Sequence, residues 1–272
     1  MKDGFVKTAA GTPDIKVADC GYNCARIKAL IDKAHEQGVR VLVLPELCIT
    51  GYTCQDLFFQ QTLLDGALNA LKDITEHSAG LDMLIAVGCP LRFRGELYNC
   101  AVVMKDGKIL GVVPKKFLPN YNEFYEKRHF TAAPEGEYDI ELFGESVPFG
   151  LGLLFECRGT PELVFAAEIC EDLWAAEPPS ISLALGGATL IANLSASNET
   201  IGKDSYRREL VNSQSARLLC GYVYASAGSG ESTQDLVFGG HDIIAENGIV
   251  LAESKLYSTC LLYTSPSPRD RG

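Results

Sequence analysis

Five near-continuous apolar runs, at positions 39–44, 83–88, 163–169, 188–193 and 222–227, constrain the fold more than any other feature of the chain. Each is of strand length and lacks a clean alternation of apolar and polar residues, the pattern of strands buried on both faces of a sheet. Between them the period changes. From Asn23, the apolar positions Cys24, Ile27, Leu30, Ile31 and Ala34 fall on one helical face, and Gly38 stops the helix. Residues 58–77 and 206–219 read as two further helices, and residues 5–10 as a first strand closed by Gly11 and Pro13. Residues 97–104 and 109–113 flank Asp106-Gly107, a strong hairpin signal, and residues 236–245 and 249–252 bracket a second turn at Glu246-Asn247-Gly248. Residues 150–155 read as one more strand. Helices laid on sheets that mix parallel order with hairpins predict a layered α/β sandwich.

Charge and cysteine usage exclude several classes of function. The formal net charge of −11 argues against nucleic-acid binding, which needs clustered Lys and Arg. No apolar run approaches the roughly 20 residues of a membrane helix. The N-terminus, Met1-Lys2-Asp3-Gly4-Phe5, has no apolar leader and no small-residue cleavage site, and reads as a mature cytoplasmic start. The chain has 10 cysteines but no Cys-x-x-Cys pair, and most are expected reduced and buried as small hydrophobes. His35, His77, His129 and His241 show no metal spacing. Gly228-Ser229-Gly230-Glu231-Ser232 has glycine where a nucleophile elbow needs serine, and no phosphate-binding loop of the Gly-Lys-Ser/Thr kind occurs.

Three reactive side chains each follow an apolar strand, where ligands of α/β folds gather. Glu46 follows the run ending at Leu44, Lys115 follows the second strand of the first hairpin, and Cys170 ends Phe165-Ala166-Ala167-Glu168-Ile169-Cys170. Each has a bland alternative: a loop or capping acid, a solvated edge lysine, an inert core thiol. Two acids and a tryptophan follow Cys170, so it lies where the core opens.

Together these stretches resemble the nitrilase, or carbon–nitrogen hydrolase, superfamily, whose catalytic triad is Glu, Lys and Cys in this order. Pro45-Glu46-Leu47-Cys48-Ile49-Thr50-Gly51-Tyr52-Thr53 and the stretch from Pro114-Lys115-Lys116 through Asn120-Tyr121-Asn122-Glu123 to Lys127-Arg128 are similar to motifs of the glutaminase domain of bacterial NAD⁺ synthetases. Asn193-Leu194-Ser195-Ala196-Ser197, Arg207-Arg208 and Gly230-Glu231-Ser232-Thr233 fit the same context. The resemblance implies a nitrilase-like αββα four-layer sandwich over residues 1–259. It implies Cys170 as nucleophile, Glu46 as general base and Lys115 as oxyanion partner. Tyr52, Tyr121, Glu171 and Ser197 would hold glutamine, and Glu123 would be a secondary acid near the lysine. No cofactor is expected for glutamine hydrolysis. ATP, Mg and deamido-NAD⁺ belong to a C-terminal synthetase domain, whose Ser-Gly-Gly-x-Asp-Ser loop is missing here, and a homo-oligomer is expected.

Residues 260–272 resemble the translation of a sequencing-library adapter and are expected to be a non-native tail. Two other readings stay open. One is a stand-alone amidase of the ω-amidase or carbamoylase type. The other is a non-catalytic nitrilase-like scaffold, against which the complete trio argues.

Overall fold

The structure, a computed structural model, describes residues 5–257 and the backbone of Tyr263–Thr264. Along the chain the elements are β1 (Thr8–Ala10), α1 (Cys20–Glu36), β2 (Val41–Val43), a 3-10 turn (Gln55–Phe59), α2 (Gln61–His77), β3 (Leu84–Phe93), β4 (Glu96–Lys105) and β5 (Lys108–Pro114). Then come α3 (Glu126–His129), β6 (Tyr138–Leu142), β7 (Glu145–Phe149), β8 (Phe155–Glu156), β9 (Val164–Ile169), α4 (Glu171–Trp174), α5 (Pro179–Leu185) and β10 (Leu190–Ser195). The last are α6 (Lys203–Leu218), β11 (Gly221–Ser226), β12 (Ile243–Glu246), β13 (Ile249–Glu253) and β14 (Tyr263–Thr264).

Two mixed sheets result. One runs β14-β1-β2-β3-β4-β5-β7-β6 and the other β13-β12-β11-β10-β9-β8. Side-chain alternation then sorts the apolar residues into three layers of core. Ala9, Leu42, Ile85 and Val87 face α1 and α2 through Ile27, Ile31, Leu71 and Ile74. Their strand neighbours Ala10, Val41, Val43 and Ala86 point the other way, against Ala167, Ile169, Ala192 and Val223 of the second sheet. On that sheet's far face, Ala166, Ile191, Tyr222 and Tyr224 pack with Leu183 of α5 and Val211 of α6. Helix, sheet, sheet and helix therefore stack as the expected αββα sandwich. No helix among the described residues is long and apolar enough to cross a membrane.

Several boundaries differ from expectation for physical reasons. Asp106-Gly107 and Asn247-Gly248 both turn with positive φ, as their sequences predict (φ 50 and 73, φ 49 and 81). The β6–β7 hairpin is not legible in the sequence, because its turn is Phe143-Gly144 (φ 55 and 81) and carries no Asn or Asp. Of the strand expected at 150–155, only Phe155 belongs to β8, and of that at 236–245 only the last three residues belong to β12. Four-residue α3 and α4 and seven-residue α5 are too short to show a helical period. Of the tail expected to be non-native, only Tyr263–Thr264 is described; it pairs antiparallel with β1, and the rest lies outside the described residues.

Candidate active site

Glu46 sits in the turn that leaves β2, where Leu44 N–H still bonds Ala86 O (2.9 Å) and Glu46 N–H reaches across to Ser195 O (3.3 Å). This turn lies directly on β3. A Cβ on Gly88 would come within 2.2 Å of Leu47 N and 2.5 Å of Pro45 O, so only glycine lets the Glu46 turn seat there. Lys115 follows β5, its N–H held by Asn99 O (2.8 Å) and its carbonyl by Ala133 N–H (2.9 Å). Alternation turns Lys115 inward, where it is 1% exposed, while Lys116 lies half-buried over the Phe117 ring, 4.9 Å from its centroid.

Inside, Lys115 Nζ donates to Glu46 Oε1 and to Glu126 Oε1, both at 2.6 Å. Asn99 Nδ2 also donates to Glu46 Oε1 (2.6 Å), and Tyr52 OH to Glu126 Oε1 (2.8 Å). Glu46 Oε2 and Glu126 Oε2 accept nothing from the described residues, although both are buried. A buried ion pair is a poor stabilising device, because desolvation cancels much of its attraction. Acceptors left open beside it suit a reaction better than a core.

Cys170 immediately precedes α4 in an unusual backbone conformation, φ 43 and ψ −99. Non-glycine residues rarely hold positive φ, and such strain costs of order 1–3 kcal/mol and clusters at functional sites. Asp172 ties this turn to the lysine loop, accepting from Ile169 N–H (3.0 Å) and Phe117 N–H (2.8 Å). Burial, with Glu46 adding to it, pushes the Cys170 thiol up to about 12 against the pull of Lys115 and the Ser195 hydroxyl. The resting sulfur is therefore a neutral thiol. Burial also raises Glu126 to about 7, against the pull of Lys115. Lys115 itself is held well above its ordinary value, because the two carboxylates outweigh the desolvation that would lower it.

The structure thus brings Glu46, Lys115 and Cys170 into one electrostatically coupled cluster, with Tyr52 joined to it through Glu126. Tyr121 OH donates to both carboxylate oxygens of Glu171 (2.9 and 3.0 Å). Ser197 accepts from Arg207 Nη2 (3.2 Å), so its hydroxyl oxygen is already engaged. Glu123, expected beside the lysine, instead accepts from Asn198 Nδ2 (2.6 Å). The second carboxylate on Lys115 is Glu126, because the loop after Asn122 (φ 49) folds back and α3 presents its first residue to the core. Nothing in the local pattern separates these two glutamates.

Asn99 did carry a signal: it is a polar residue inside the apolar run of β4. Lys203, at the start of α6, was missed too. Its Nζ donates to Asn198 Oδ1 and lies 5.2 Å over the Trp174 ring, and burial lowers its pKa. No cluster of His, Cys, Asp or Glu among the described residues could hold a metal ion.

Comparison with known proteins identifies the family. Glutamine-dependent NAD(+) synthetase of Mycobacterium tuberculosis (strain H37Rv) is 45% identical over 254 residues, 93% of this chain and 37% of that protein. The human protein of the same name is 32% identical over 247 residues, 87% of this chain and 34% of that one. The chain thus spans about a third of the length of these curated relatives. A crystal structure of a glutamine-dependent NAD(+) synthetase from Cytophaga hutchinsonii superposes with a TM-score of 0.85 at 30% identity, covering 95% of this chain and 42% of that one. A Nesterenkonia amidase of the nitrilase superfamily superposes at 0.77 over 99% of this chain and 94% of its own, but at 18% identity it speaks for the fold alone. The carbon-nitrogen hydrolase family model matches residues 7–265, and the chain belongs to that family.

Proposed function

We propose that the chain hydrolyses the side-chain amide of L-glutamine, and that the ammonia serves NAD⁺ synthesis on a synthetase domain of a longer protein. The observation that carries the reading is the buried Glu46–Lys115 pair, 2.6 Å apart, coupled to a strained Cys170. The relatives' shared name supplies glutamine as the substrate.

A thiol held near 12 cannot ionise alone at neutral pH, so a base must take its proton as the bond forms. Glu46 is that base. Cys170 Sγ attacks the amide carbon, its proton passes to Glu46, and the carbonyl oxygen becomes an oxyanion stabilised by Lys115. Collapse breaks the C–N bond, and Glu46 returns the proton to the departing nitrogen, releasing ammonia. Water, deprotonated by Glu46, then adds to the γ-glutamyl thioester; glutamate leaves and the thiol is restored. Glu126 keeps Lys115 in place and holds Tyr52 beside it.

Glu171 with Tyr121 would receive the α-ammonium group, and Lys203 supplies a cation for the α-carboxylate. Ser197, held by Arg207 (3.2 Å), would help to hold the same substrate. Those charged positions favour an amino acid over a simple aliphatic amide. Neither ATP, Mg nor deamido-NAD⁺ has a role in the hydrolysis; all three would act on the synthetase domain.

Ammonia release from L-glutamine tests the assignment, measured beside release from acetamide and propionamide. Cys170→Ala and Glu46→Gln should each lower the glutamine rate by about 10³-fold or more. Release from the aliphatic amides with none from glutamine would replace the glutaminase reading with the amidase one.

A further inference from the structure

Behind the nucleophile, on the helix-facing side of the second sheet, lies a carboxylate that the reaction does not use. Glu168 of β9 is 1% exposed, and no cation among the described residues pairs with it. It accepts instead from Tyr222 OH and from Ser180 N–H (2.8 Å). Parallel register sets Asn193 of β10 beside Glu168. The Asn193 amide is fully buried and spans both peptide groups of the nucleophile. Its Oδ1 accepts from Cys170 N–H (3.1 Å), and its Nδ2 reaches Cys170 O (3.5 Å) and Tyr222 OH (3.3 Å).

Asparagine is a poor strand residue, and a buried amide costs free energy unless its bonds are made. The ladder alone does not require it, since Leu194 O already accepts from Cys170 N–H (3.0 Å). An aliphatic residue, like Ile191 two positions earlier on the same face, would fill the space. What the amide adds is a grip on both peptide groups of one residue, whose φ of 43 has no intrinsic preference for staying there.

We propose that Asn193, backed by Tyr222 and Glu168, is a positioning residue that holds the Cys170 turn in its strained conformation and so keeps Sγ beside Glu46 and Lys115. This rests on Cys170 being the nucleophile. The amide is fully buried on the helix-facing side of the sheet, so the clamp is expected to act on the chemical step and leave glutamine affinity alone.

The test uses the full chain with Asn193→Ala, Tyr222→Phe, Glu168→Leu and Glu168→Gln. Folding is checked by circular dichroism, kcat and KM are measured for glutamine, and the rate of Cys170 alkylation by iodoacetamide is followed by peptide mass spectrometry. Asn193→Ala should lower kcat by about tenfold or more, the scale expected of a misplaced reacting group, with KM within about twofold. Cys170 alkylation should slow in step. Tyr222→Phe, which deletes one hydroxyl, should show a smaller loss of the same kind. Glu168→Gln, which keeps an acceptor for Tyr222, should lose less than Glu168→Leu. Folded variants whose kcat and alkylation rate equal the parent's, or in which KM alone changes, would overturn the clamp. If the parent chain releases no ammonia from glutamine, the glutaminase reading fails, and an unchanged alkylation rate in Tyr222→Phe or Asn193→Ala still decides against the clamp separately.

Discussion

Glu123 and Glu126 stand three residues apart in one stretch, and only the second touches Lys115. Replacement of each by glutamine should therefore separate two effects. Glu126→Gln should lower kcat by about tenfold or more, since it weakens the charge-assisted hydrogen bonds that hold both Lys115 and Tyr52. Glu123→Gln should act on KM, through Asn198 and Lys203. Equal kcat losses in the two variants would contradict the placement. The same residue predicts a pH profile. A carboxyl raised to about 7 is protonated below that pH, and Lys115 then keeps only one carboxylate partner. The kcat profile should show an acidic limb near 7 that belongs to Glu126 beside Lys115, and Glu126→Gln should move it. Glu46, Lys115 and Cys170, which the structure brings together, stand out in the sequence because each ends an apolar strand within a stretch that resembles a family motif. Glu126 does not, because only the fold of the loop after Asn122 decides which of two nearby acids turns inward.

Strand ends do the positioning at the next scale up, and their seats are narrow. The Glu46 turn lies on Gly88 so closely that Gly88→Ala must displace backbone. It should cost about 1–3 kcal/mol, the range of overpacked cores, and lower Cys170 reactivity with it. Urea unfolding beside Cys170 alkylation checks both, and a variant as stable and as reactive as the parent would contradict the packing argument. The buried apolar strands and the Asp106-Gly107 and Asn247-Gly248 hairpins could be read from local pattern, since both signals are intrinsic to a few residues. The β6–β7 hairpin and α3, α4 and α5 could not. The hairpin's turn chemistry is generic and the helices are too short to show a helical period, so tertiary packing forms them. One of those elements, α3, supplies Glu126, which is why this partner of Lys115 was less legible than Glu46, Lys115 and Cys170.

Across the whole molecule, burial leaves several carboxyls raised, among them Glu126, Asp172 and Asp242, each to about 7. A group whose folded pKa exceeds its unfolded one binds more protons in the folded state. Its contribution to stability is full below the unfolded value and is lost as pH rises through about 7. The urea midpoint should accordingly rise on going from pH 8 to pH 5.5. Asp242→Asn, which removes one such group far from Lys115, should flatten that slope, and an unchanged slope would contradict the assignment. Leu185, Ile201, Tyr206 and Leu219 stand exposed on and beside α5 and α6, and we expect the chain to self-associate; a monodisperse monomer by light scattering at micromolar concentration would contradict this. The central claim, that Cys170 is a nucleophile in a glutamine pocket, is tested most directly with a γ-electrophilic glutamine analogue and peptide mass spectrometry. One adduct is expected, on Cys170, suppressed by glutamine and absent in Lys115→Ala. Folded protein without a Cys170 adduct, or labelling that glutamine does not suppress, would contradict it.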